Sequence, residues 1–212
     1  MFKTVETSRL QIILTNTQHD RVGDDELDLY WQSVRDPQWY NLETHMTPFL
    51  TSINVPFFSK KTIYDQELGH GKLYDRTFHL GLVEKDVYLP IGDFYTIDTN
   101  DKLFDTKFKL DVKEHARFTH TESNSLGDRI EVLVTPVKVK ALSATALDAL
   151  ILKTEARADA LERSQTEARA RVRSIWRGEA YFSAQKELEE AKSYASYLRD
   201  LRSGGISGAC AK

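Results

Sequence analysis

The sequence predicts a mixed α+β fold: a β-rich N-terminal domain over residues 1–141, a C-terminal alanine-rich helical hairpin or coiled coil over 142–203, and a flexible tail over 204–212. Three observations carry this expectation. All five prolines and every phenylalanine except Phe182 lie before residue 141, whereas alanine, glutamate and arginine dominate after it. In the first part, apolar residues alternate with polar ones, the pattern of strands with one buried and one wet face. In the second, apolar residues recur at alternating steps of four and three, the pattern of helices that meet helices. For the N-terminal domain this implies roughly five to seven strands with one or two short helices, arranged as a sandwich or partial barrel.

The strands follow in order. "RLQIILT" at 9–15 is the first. "RTFHLGLVEKDVYLPIGDFYTI" at 76–97 offers two more, with "EKD" at 84–86 as the turn. "KFKLDVK" at 107–113 sets Phe108, Leu110 and Val112 against Lys107, Lys109, Asp111 and Lys113. "DRIEVLVTPVKVK" at 128–140 sets Ile130, Val132 and Val134 against Arg129, Glu131 and Leu133; past Pro136, Val137 and Val139 alternate with Lys138 and Lys140. Lysines along a strand also protect a sheet edge from unwanted pairing. One segment reads as helix: "DDELDLYWQSV" at 24–34 places acidic residues in a first turn and spaces Leu27, Tyr30, Trp31 and Val34 by three and four, with Pro37 blocking continuation. The polar stretch 113–128 reads as a long loop and candidate contact surface.

The helical part begins near "ALSATALDAL", where Thr145 and Asp148 form a candidate N-terminal cap. A heptad seam follows through Leu147, Ile151, Thr154, Ala158, Leu161, Gln165, Ala168, Val172 and Ile175. A second runs through Tyr181, Ala184, Leu188, Ala191, Ala195 and Leu198. The step from Ile175 to Tyr181 fits neither three, four nor seven, so the seams lose phase across Gly178, and a hairpin is expected there. Arg163, Arg169, Arg171, Arg173 and Arg177 precede that glycine with only Glu167 against them, while Glu179, Glu187, Glu189 and Glu190 follow it with only Lys186. Folding back would set the basic stretch beside the acidic one and select the orientation of the helices.

The formal net charge of −3 over 212 residues gives no general attraction to nucleic acid or acidic membranes. No apolar run approaches the roughly 18 residues of a membrane span. The opening segment lacks the apolar centre of a signal peptide, because Glu6, Ser8, Arg9 and Gln11 interrupt it. The single cysteine, Cys210, has no intrachain partner. These features suit a protein folded in the cytoplasm, or incorporated into a particle assembled there.

Chemical motifs are sparse. "GHGKLY" at 69–74 has Tyr74 where a dinucleotide fingerprint needs glycine, and Leu73 where a phosphate loop needs Ser or Thr; it reads as a turn. "GISGA" at 205–209 ends in Ala209 where a nucleophile elbow has glycine. The six histidines are scattered without zinc-site spacing. Asp93, Asp98, Asp101 and Asp105 do not form a calcium loop, since Lys102 and Leu103 occupy the positions that need a ligand and a glycine. Trp39, Tyr40 and Phe49 suit core packing better than a stacking platform. No catalytic residue, cofactor or metal is implied.

"VETSRLQIILTNTQHD" followed by "DPQWYNLETHMTPF" resembles the opening of a GCN5-related acetyltransferase, and "HLGLVEKDVYLPIGDFYTI" resembles that family's central hairpin. The resemblance implies a coenzyme A-dependent transferase with a glycine-spaced pyrophosphate loop next in the chain. "DTNDKLFDTKFKLDVK" stands there with no glycine, so no cofactor-binding or catalytic residue carries over.

The expected function is that of a non-enzymatic structural or assembly protein, such as a component of a viral or phage-type particle, with protein partners and homo-oligomers. Its interface would be Leu147, Ile151, Ala158, Leu161, Ala168, Val172, Ile175, Leu188, Ala191, Ala195 and Leu198. The alternatives are an acetyltransferase-like enzyme lacking a recognisable cofactor loop, and a nucleic-acid-binding regulator using Arg169, Arg171 and Arg173. A nucleic-acid partner is disfavoured because an acidic stretch follows directly and no aromatics interleave Arg169, Arg171 and Arg173.

Overall fold

A computed structural model of the chain describes residues 1–16, 25–34, 50–56, 58–74, 76–84, 102–109, 117–125, 127–171 and 179–205. Among these lie eight strands: β1 (Phe2–Thr15), β2 (Asp25–Val34), β3 (Leu50–Val55), β4 (Lys60–Gly69), β5 (Thr77–Glu84), β6 (Lys102–Lys109), β7 (Phe118–Ser123) and β8 (Arg129–Leu142). A single 3-10 turn occupies His70–Lys72, and two helices close the chain, α1 (Ala144–Arg171) and α2 (Glu179–Ser203).

The strands form two antiparallel sheets, ordered β4-β1-β8-β7 and β3-β2-β5-β6. β1 and β8 pair from Phe2↔Leu142 to Thr15↔Arg129, the full length of both. Their neighbours are shorter: β7 reaches only from Arg129 to Val134 of β8, and β4 only from Thr7 to Thr15 of β1. The ribbon therefore has two halves with different coverings. In one half, Leu10, Ile12, Leu14, Ile130, Val132 and Val134 join Phe78, Leu80, Leu82, Phe104 and Phe108 of the second sheet. In the other, Val5 joins Leu147, Tyr197, Leu198 and Leu201 of the helices. Both sets belong to one continuous cluster of buried side chains.

This corrects the expected partition into a separate β-domain and a helical extension. The helix pair completes the layer over the long ribbon where the second sheet stops. The hairpin itself is present: α1 and α2 run antiparallel, bridged by Arg202–Asp148 at 2.7 Å, Arg199–Glu155 at 3.5 Å and Lys192–Glu162 at 2.8 Å. The acidic residues Glu189 and Glu190 of α2 pair with Arg76 and Lys72. Ser143 caps α1 in place of Thr145, its Oγ accepting the Ala146 N–H at 3.1 Å.

Two further expectations are corrected. Residues 25–34 form strand β2, not a helix. The same residues alternate, with Leu27, Leu29 and Trp31 at every second position, and the ladder sets Leu29 opposite Leu82 and Trp31 opposite Leu80. Sheet pairing with β3 and β5 outweighs a helical spacing supported only by local charge placement. The expected loop 113–128 contains β7 and a tight turn. In that turn the Asn124 side chain accepts the Asp128 N–H at 2.9 Å, and Gly127 takes the left-handed conformation at φ 97°.

The alternation in β8 holds at Ile130, Val132 and Val134, although Leu133 is also buried. It fails past Pro136. Val137 and Val139 are 46% and 45% exposed, because β7 has ended and the ladder skips Val137. In β6, Phe108 is buried between exposed Lys107 and Lys109 as expected. The second strand expected after "EKD", the aromatic cluster at Trp39, Tyr40 and Phe49, most of the aspartate cluster, Gly178 and Cys210 lie outside the described residues. Among the described residues no helix is long and apolar enough to cross a membrane.

Candidate functional site: the groove where the hairpin docks

The segment from Gly69 to Arg76 joins the two sheets and carries the contacts that hold α2. Gly71 lies so close to α2 that a β-carbon there would collide with the Glu190 carbonyl oxygen and sit 2.9 Å from the Tyr194 Cβ. Glycine is required for contact, not for backbone conformation, since the positive-φ glycines among the described residues are Gly127 and Gly204. This approach places His70, 3% exposed, beneath the helix. Its Nδ1 lies 3.3 Å from the Ser8 Oγ, and its ring meets Tyr197 edge-on at 4.4 Å. The Val5 N–H donates to the Tyr197 hydroxyl at 2.9 Å, tying the helix to the backbone of β1.

Two charge-assisted contacts flank this point. The Tyr74 hydroxyl donates to Asp200 at 2.6 Å, and Arg76, with its side chain 6% exposed, donates to Glu189 at 3.0 Å. Tyr74 and Tyr194 both pack on Tyr197, with ring centroids 5.3 and 5.8 Å away. Burial pushes the Tyr194 phenol up to about 12, helped by the charge of Glu6. Burial also raises the Tyr197 phenol, against the opposing pull of the Val5 N–H. Both side chains are therefore neutral donors and acceptors at ordinary pH.

Beside this dock lies a groove of about 590 Å³ between the helices and the 69–71 turn. Leu150, Ala191 and Tyr194 give it apolar surface, and Lys153, Arg157, Glu6, Glu187 and Glu190 give it charge of both signs. Glu6 reaches it from an irregularity in β1, where the ladder passes from Val5 to Thr7 without it. Two of the three carboxylates already have cations: Lys140 is 2.6 Å from Glu6 and Lys72 is 3.7 Å from Glu190.

The Ser8–His70 contact invites a nucleophilic reading, but Ser8 is 0% exposed and no substrate can reach its hydroxyl. The pair joins β1 to the turn. Among the described residues no three histidine, cysteine or acidic side chains group as a metal site would require. In the stretch where an acetyltransferase would carry its glycine loop, residues 102–109 form β6.

The sequence-derived interface residues fall along this hairpin. Leu147, Ala158, Leu188, Ala191, Ala195 and Leu198 are buried within the chain, and Ile151 and Leu161 are partly buried. Ala168, Arg169 and Arg171 lie in the last turn of α1, while Val172, Arg173 and Ile175 lie outside the described residues. His70, Tyr74, Arg76, Tyr194 and Tyr197 escaped sequence reasoning. Tyr194 and Tyr197 precede and follow Ala195 of the second seam, and that proximity to the seam was the available signal. Compared with known proteins, the chain matches no family model and no curated protein.

Proposed function

We propose that this chain is a non-enzymatic assembly protein whose β-sheet body anchors a two-helix arm that joins copies of the chain. The observation that carries this is the exposed apolar side of α1, which the body leaves uncovered. The body holds α1 at Leu147, Leu150 and Ile151, and α2 at Tyr194, Tyr197, Leu198 and Leu201. From Ile151 to Arg171, α1 continues for about 30 Å at ~1.5 Å per residue. Among the residues whose side chains are described, Ala158, Leu188 and Ala191, flanked by Leu161, are buried between the helices along that length. A long helix pair with an exposed apolar side gains by joining others into a bundle. The outer side of α1 carries Ala149, Leu152, Ala156 and Ala160, all exposed, with Leu152 at 67%.

A cytoplasmic location, or a place inside a particle built there, is consistent with the single cysteine and modest charge. The test is the mass of the full chain by light scattering at two concentrations. The proposal expects mass to rise with concentration, and Leu152→Lys to return the protein to monomer without changing its circular dichroism. A monomer at every concentration would refute homomeric assembly.

A further inference from the structure

The outer side of α1 has a period of its own. Ala149, Leu152, Ala156, Asp159, Arg163 and Thr166 follow one another at alternating steps of three and four, and all six are exposed. This is the heptad spacing of helices that pair. The line lies on the helix face opposite the buried Thr154, Ala158 and Gln165. Its two charges differ from the others on the helix. Asp148, Glu155 and Glu162 close onto Arg202, Arg199 and Lys192 of α2 at 2.7–3.5 Å. Asp159 and Arg163 have no ion-pair partner among the described residues.

We infer that this line pairs antiparallel with the same line of a second copy, with Asp159 of each chain against Arg163 of the other. The inference rests on assembly through the outer side of α1 and gives that assembly an orientation and a register. A two-fold axis midway between Asp159 and Arg163 makes the contact self-complementary, so each acid meets a base and each base an acid. The same axis sets Ala156 opposite Thr166 and lays Leu152 over the last turn of the other α1. Sliding the helices by one heptad in one direction sets Asp159 against Ala156 and Arg163 against Leu152. Sliding them in the other sets Arg163 against Thr166. Either shift leaves the charges unpaired within the seam, which costs free energy. Helices running parallel and in step would set Asp159 against Asp159 and Arg163 against Arg163, and like charges across an interface repel. The charged pair within the heptad line thus specifies the register, while Leu152 and the alanines supply apolar contact. Antiparallel pairing also carries the two bodies to opposite ends, since each body holds its own α1 at Leu147, Leu150 and Ile151.

Light scattering of the full chain with charge reversals tests the pairing. Asp159→Arg and Arg163→Asp each turn both ion pairs into like-charge contacts, so either variant alone should assemble about tenfold or more weakly than the wild type. An equimolar mixture of the two should regain wild-type assembly, because each variant then meets the opposite charge on the other. The double substitution Asp159→Arg/Arg163→Asp in one chain should also assemble as the wild type does. Both positions are exposed, and unaltered circular dichroism checks that each variant folds. Single reversals that assemble like the wild type, or a mixture that fails to recover, would overturn the pairing while leaving assembly through α1 standing on the Leu152→Lys result. A wild-type chain that stays monomeric at every concentration would overturn both.

Discussion

Gly71→Ala tests whether helix docking depends on backbone contact at one residue. The added β-carbon would overlap the Glu190 carbonyl oxygen, sit 2.9 Å from the Tyr194 Cβ and 3.2 Å from the Glu190 Cγ. Two of these are backbone or first side-chain atoms of a helix, which cannot rotate away. Either α2 moves off the turn or the turn moves off α2. Overpacking of this kind costs about 1–3 kcal/mol. Displacement also lengthens Tyr74–Asp200 and Arg76–Glu189, which lie on either side of the contact. We expect a total near ~3 kcal/mol, a fall in melting temperature of roughly 6–12 °C for a chain of this size. Thermal and urea unfolding by circular dichroism would measure it. Gly205→Ala is the control: its β-carbon would meet nothing closer than the Asp200 carbonyl at 3.4 Å, so stability should stay within about 0.5 kcal/mol. If Gly71→Ala behaves like the control, the close approach does not hold the helix.

Leu198→Ala, at a fully buried position in the main core, should cost about 2–5 kcal/mol, and Leu188→Ala, buried between the helices of the arm, should fall at the low end of that range; urea titrations of both compare them. Tyr197→Phe removes the acceptor of the Val5 N–H and should cost about 1–3 kcal/mol by the same measurement. The phenol of Tyr194 is raised from 10.0 to about 12, so its contribution to stability is complete below the unfolded value and is lost as pH rises from about 10 towards 12. Tyr194→Phe should therefore flatten the alkaline fall in melting temperature, and an unchanged profile would refute the assignment. Asp148 is lowered by its hydrogen bond to Arg202, so the pair supports the helix termini above the unfolded carboxylate range and weakens as pH falls; melting scans of Asp148→Asn below pH ~4 should converge on wild type.

The parts of the fold legible in the sequence are those where period and chemistry agree. β1 alternates through Leu10, Ile12 and Leu14, and all three are buried. The helical seams alternate four and three through Leu147, Ala158, Leu188, Ala191 and Leu198, and these too are buried. β2 is ambiguous in the sequence because "DELDLYWQSV" satisfies both periods, and only pairing with β3 and β5 decides between them. β7 was hidden because "FTHTES" carries one large apolar residue, and its pattern of intermediate and exposed positions resembles a loop until β8 lies beside it. The groove could not be read, because Glu6, His70, Lys153 and Glu187 are brought together by docking, not by spacing.

The dock also changes what the helical seam means. Read alone, a heptad stripe without enough of its own chain to cover it calls for another chain. In this molecule the first turns of α1 and the last turns of α2 find that cover in the long β1–β8 ribbon, through Val5, Leu147, Tyr197 and Leu198. On the proposed reading, the remaining demand for a partner falls on the outer side of α1, where Leu152 is exposed. Assembly through the arm would then leave the groove at its base accessible, because Lys153 and Arg157 lie around the helix from Leu152, on the side of Tyr194 and Glu187.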